Sequence, residues 1–264
     1  MEKQAVFSMT EGSPAGLLLK FTIPMLIGNL FQQFYNMVDS IVVGRFVGAN
    51  ALASVGATGS LNFLLFAMSF GISAGVGVVV SQHFGAGQMD MVEKSIINGM
   101  YLLAVVSVIM GMIGITSARW VLTVLDTPEA ILDDAVTYMR VSCAGILAIA
   151  AYNGVASVLR ALGDSRTPLY FMMAACFVNI GLDLLFVILF GWSVFGVALA
   201  TVIAQLVAAV GAFTYALRRI AYFRIQKENR PPRKDIMLRC FRLGIPIAMQ
   251  NALIAFSRIF LQKI

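Results

Sequence analysis

The sequence predicts an all-α, polytopic membrane protein, and three observations carry that prediction. Of its 264 residues, 59% are hydrophobic and only 12% are charged, with a mean hydropathy of +0.87, whereas soluble domains average about 25% charged. The apolar residues gather in seven stretches, 15–43, 51–82, 95–118, 131–159, 168–190, 194–217 and 237–264. Each is as long as the ~20 residues that a helix needs to cross a bilayer. The regular alternation of a membrane β-barrel is missing from all of them.

Basic residues orient the spans. With the N-terminus in the cytoplasm, the inner segments hold Lys3, Lys20, Lys94, Arg160, Arg166 and nine bases between Arg218 and Arg242, and the outer segments hold Arg45, Arg119 and Arg140. The positive-inside rule therefore predicts a multi-pass protein of the cell membrane with a cytoplasmic N-terminus. The net charge of +6 is explained by these flanking bases, so nucleic acid is not an expected partner; the lipid bilayer is. Met1–Pro14, with Glu2 and Glu11, reads as a short cytoplasmic arm rather than a cleaved signal. Cys143, Cys176 and Cys240 lie in or beside spans and are expected to pack as small apolar residues.

Span one contains the residues around which the chain is organised. Gln32, Tyr35, Asn36 and Asp39 recur at helical spacing and form one polar stripe on an apolar helix. An ionised carboxylate at that depth costs from about 3 to over 10 kcal/mol unless it faces other helices, water or a cation, so the stripe predicts a functional cavity. Pro24 should kink the same helix. Span two aligns Thr58, Asn62 and Ser69 and spaces Gly71 and Gly75 four apart, which permits close helix approach. Its run of glycines has no strand before it and does not form a nucleotide loop, and no GxxxxGK[ST] motif indicates ATP.

The inner loop after span two carries the single histidine, His83, which is expected to be a solvated loop residue. Span three has few polar landmarks. The following outer loop, with Asp126, Glu129, Asp133 and Asp134, is expected to be a solvated acidic face. Span four ends in Leu159-Arg-Ala-Leu-Gly-Asp-Ser-Arg-Thr-Pro168, where Gly163 and Pro168 predict a tight turn and Arg160, Asp164 and Arg166 are expected to cap helices and pair with one another. Span five adds Asn179 and Asp183, and span six Thr201 and Gln205, each pair on one helix face. At 1.5 Å per residue, Asp39, Asp183 and Thr201 lie about 8, 12 and 10 Å below the outer ends of their spans, in one slab of the membrane.

The basic, proline-containing segment 218–236 predicts a cytoplasmic linker between a six-helix lobe, 1–217, and a further helix, 237–264. Ile245-Pro246 and Asn251 repeat Ile23-Pro24 and Asn29 in the same orientation, as parallel transporter repeats do. The chain is thus expected to carry one helix of an incomplete second lobe and to need the missing C-terminal lobe as partner.

Taken together, Pro24 with Asn29, Val38-Asp39-Ser40, Gly85-Ala-Gly87, the Leu159–Pro168 motif and Asn179 with Asp183 resemble the multidrug and toxic compound extrusion (MATE) transporters over nearly the whole chain. The resemblance implies twelve helices in two lobes and export of cationic or amphipathic compounds in exchange for H+ or Na+. It assigns Asp39, Asn179, Asp183 and Thr201 to the coupling cation, with Asn153 lining the same cavity as Gln32, Tyr35 and Asn36. Asp39 and Asp183 would be metal ligands only with sodium as the coupling ion, and they should titrate as a coupled unit. No cofactor is implied. Ile254 stands where NorM-type members carry a glutamate, which places the chain nearer the DinF-like branch. The alternatives are a lipid-linked sugar flippase, which would be expected to line its cavity with bases that this lobe is expected to lack, or a non-transporting membrane interaction subunit. No catalytic arrangement at membrane depth points to an enzyme.

Overall fold

The computed structural model describes residues 13–262, so the expected cytoplasmic arm through Glu11 lies outside the described residues. Helix α1 runs Pro14–Val42 and continues in a π-turn, Val43–Val47. Ser13 starts it by accepting a hydrogen bond from the Gly16 amide, with proline at the first helical position, where its missing N–H costs nothing. The helix continues through Pro24. Helices α2 (Ala49–Gly85) and α3 (Met89–Val124) follow as long single spans.

The fourth stretch differs from the single span expected over 131–159. It is two helices, α4 (Glu129–Ala144) and α5 (Ile146–Ala161), bent by 44° at Gly145. The cause is steric: a Cβ at Gly145 would collide with the Val202 side chain, so the bare backbone lets a neighbouring helix reach the break. Helix α6 (Arg166–Leu184) ends in a second π-turn, Leu185–Leu189, and α7 (Val194–Arg219) and α8 (Lys234–Gln262) complete the bundle. Among the described residues six helices are long and apolar enough to cross a membrane, or seven if the bent pair counts as one span.

Helix α2 forms the hub, packing on α3, α4, α5 and α8, while α6 pairs with α7 and carries α1. Ile72, Val76, Val79, Val92, Ile96, Val158 and Leu159 fill the main core. The paired glycines of α2 face α8. A Cβ on Gly71 would stand 2.6 Å from the Gly244 carbonyl oxygen, and one on Gly75 2.7 Å from the Gly244 amide nitrogen. The two backbones are therefore in direct contact, the small-residue packing that the spacing predicts. Cys240 is sealed in this seam, and Cys143 and Cys176 are also buried and free.

Two segments expected on the inner side are more ordered than their composition implies. The linker folds onto α3: Glu93 accepts hydrogen bonds from the Gln226 amide at 3.2 Å and the Asn229 side chain at 2.8 Å, and Asn98 accepts from the Arg233 amide at 2.6 Å. The linker's own Ile220, Phe223 and Ile236 are buried. Segment 218–236 is thus a docked strap, and α3 does carry polar landmarks. His83, expected to be solvated, is buried, with its Nδ1 2.9 Å from Gln88 Oε1. The outer acidic face remains exposed, with an Arg119–Asp133 ion pair at 2.9 Å.

Candidate functional site

Helix rise and periodicity bring the two acids together. Asp39 sits one turn before the π-turn that ends α1, and Asp183 two residues before the π-turn that ends α6. Helix α1 rests on α6, so the two carboxyls meet side by side. They are 7% and 0% exposed, a setting in which two bare negative charges cannot coexist without a cation between them. Thr201 of α7 donates to Asp39 Oδ2 at 3.4 Å and accepts from Asn179 Nδ2 at 3.3 Å. Both bonds are long, and they leave most of the oxygen lone pairs unused.

Those unused oxygens are the chemical content of the site. Asp39 Oδ1, Asn179 Oδ1, both Asp183 oxygens and Gln205 Oε1 are buried without a hydrogen-bond donor among the described residues. The large majority of buried side-chain polar atoms in native interiors are partnered, and those left over call for an explanation. Five together, all acceptors, from three helices, make a set of hard oxygen ligands suited to a proton or an alkali cation. Asp39, Asn179, Asp183 and Thr201 are thus brought together as expected. Gln205, one turn along α7 from Thr201 and on the same face, contributes the fifth of these oxygens on the side of Tyr35. Tyr138 of α4 also lies within electrostatic range of Asp39 and Asp183. Its distant position in sequence gave no sign of that proximity.

The polar stripe of α1 divides. Tyr35 is buried one turn before Asp39 on α1, near Gln32 and Gln205, on the side of the acid cluster that faces a separate cavity lined by Gln32. Asn36 is exposed and donates to Gln33 at 3.5 Å. Gln32 and Asn153 line that cavity, about 530 Å³ between α1, α2, α5 and α6, rather than contacting the acids. Asn153 donates to the Ile149 carbonyl at 2.8 Å. Pro24, Gly28 and Asn29 line the same wall.

The motif after α5 is used differently from the pairing expected. Asp164 caps α6 by accepting from the Arg166 and Thr167 amides at 3.1 and 2.9 Å. Arg160 instead turns into the cavity and donates to Ser157 Oγ at 3.2 Å. The expectation that this lobe's cavity lacks a base fails there.

Residues 24–185 match the MatE family. The chain is 29% identical over 249 residues to the probable multidrug resistance protein YpnP of Bacillus subtilis, a match that covers 94% of this chain and 55% of that protein. Among solved structures, a MOP-superfamily transporter from Pyrococcus furiosus superposes with a TM-score of 0.88 at 25% identity, over 95% of this chain and 55% of the other. An outward-facing multidrug resistance MATE family transporter superposes at 0.87 and 25% identity, with the same coverage of both chains. The chain spans about half the length of the relatives it matches. With the family match extending over most of the bundle and both acids inside it, this chain belongs to the MATE family of multi-pass membrane proteins.

Proposed function

We propose that the chain forms the cation-coupling lobe of a two-lobe antiporter that exports cationic or amphipathic compounds. The observation that carries this reading is the set of five donorless oxygens around Asp39 and Asp183. A proton or Na+ entering there offsets one of the two carboxylate charges and gives the oxygens a partner; its release restores the repulsion. An exchanger needs such a difference between two states, because a cation can shift a conformational equilibrium only by its differential affinity for the two. The lobe is 1–217, the strap 218–236 joins it to α8, and α8 is the first helix of the partner lobe. Helices α1 and α8 are each 29 residues long and each contains an internal proline, in line with a parallel repeat.

Alternating access needs two lobes that move against each other. Reconstituted in proteoliposomes with a second lobe, fused or in trans, the chain should couple ethidium export to an opposite proton or sodium flux. Residues 1–264 alone should give none. Dye transport by the monomeric chain would overturn the two-lobe reading, and export unaffected by collapsing both ion gradients would overturn the coupling.

The orientation is tested separately. A cysteine placed at Lys227 in the strap should react with an impermeant maleimide only from the cytoplasmic side, and one placed at Glu129 only from outside. The reverse pattern would invert the direction in which the acid cluster faces.

A further inference from the structure

Among the described residues, the cavity between α1, α2, α5 and α6 is lined by one formal charge, that of Arg160, and by no acidic side chain. The nearest acid in sequence, Asp164, is committed to the α6 amides. Arg160 is half-buried and makes its side-chain bond to Ser157, one turn back along α5 toward the interior of the span. An arginine that merely snorkelled would send its guanidinium out to the interface. A guanidinium carries five N–H donors, and one bond to a serine leaves most of them available where Arg160 lines the cavity. Asn29, Gln32, Asn153 and Ser165 add polar groups to the wall, whereas Phe21, Met25, Leu169 and Met172 make the rest of it apolar.

A planar fork of donors in a half-apolar cleft is suited to bidentate recognition of a carboxylate or phosphate, and a volume of about 530 Å³ suits a small amphiphile. We propose that this cavity is a second binding site, distinct from the Asp39–Asp183 cluster, that takes the oxyanionic group of an amphiphilic molecule on Arg160 and its apolar part against α1 and α6. The site requires neither cation coupling nor a second lobe, so its test is independent of the antiport reading.

The chain, in phosphatidylcholine nanodiscs, is titrated with dodecyl phosphate, dodecyltrimethylammonium and inorganic phosphate. Dodecyl phosphate should bind, and Arg160→Gln should weaken it by about tenfold or more, the loss expected for one charge-assisted pair. Arg160→Lys should recover part of that loss, and Arg119→Gln, a change at an exposed arginine that does not line the cavity, should leave binding unchanged. Inorganic phosphate that competes only weakly assigns the anion to an amphiphile, as proposed; equal affinity assigns it to a free anion and overturns the amphiphile. In a protein with Arg160 intact, a cysteine at position 153 should be protected from maleimide by dodecyl phosphate and not by the ammonium analogue, a readout that does not depend on Arg160→Gln folding. Equal protection by both, or undiminished binding to Arg160→Gln, would reduce Arg160 to an interfacial arginine and overturn the site.

Discussion

Asp39→Asn and Asp183→Asn, each placed in a two-lobe chain, will bring drug-driven cation flux to background while leaving the protein inserted and folded. Asparagine keeps the shape of aspartate and removes the charge that holds the cation. Losing one charged ligand costs about 1.5–3 kcal/mol, roughly a 10- to 100-fold loss of cation affinity. Stability should move the other way or not at all, because each substitution relieves a pair of carboxyls that are 7% and 0% exposed, and replacing buried charges by neutral groups is often neutral or stabilising. Thermal unfolding and flux are therefore measured together. Thr201→Ser, which retains the hydroxyl between Asn179 and Asp39, should retain most of the flux. Asn36→Ala should have little effect on cation affinity, because the Asn36 side chain is exposed and, among the described residues, bonds only to Gln33. Normal flux from both aspartate variants would make the cluster a purely structural network.

Gly75→Val will separate α8 from α2. The first atom of any side chain at position 75 falls 2.7 Å from the Gly244 nitrogen and 2.9 Å from its Cα, and these are backbone atoms that cannot rotate away. Overpacking of a well-packed interior typically costs about 1–3 kcal/mol, and a collision of two backbones belongs at the top of that range. The same change at Gly59, which has nothing within 4 Å of its Cβ position, should be nearly silent. Cys240 reports the difference directly. It is 0% exposed in the seam and should become reactive to maleimide in Gly75→Val but not in Gly59→Val. A Cys240 that stays protected, with an unchanged melting temperature, would show that the helices are held by contacts elsewhere.

Sequence alone determined what helix geometry determines locally. Rise per residue put Asp39, Asp183 and Thr201 at one depth, and periodicity put Asn179 with Asp183 and Thr201 with Gln205 on single faces. Spacing made Gly71 and Gly75 a surface for close approach. The tertiary structure decided rotation and partnership. It turned Arg160 into the cavity and gave Asp164 to the α6 amides, although Arg160, Asp164 and Arg166 lie within seven residues of one motif. It also chose α8 for the glycine face of α2, buried His83, brought Tyr138 beside the acids, docked the basic strap on Glu93 and Asn98, and broke the fourth span at Gly145. The physical reason is the same in each case. An apolar helix in lipid has no strongly preferred outward face, so its rotation and neighbours are set by where backbones can approach and where buried polar groups find partners. Those partners lie far apart in the chain, and only the folded bundle brings them within reach.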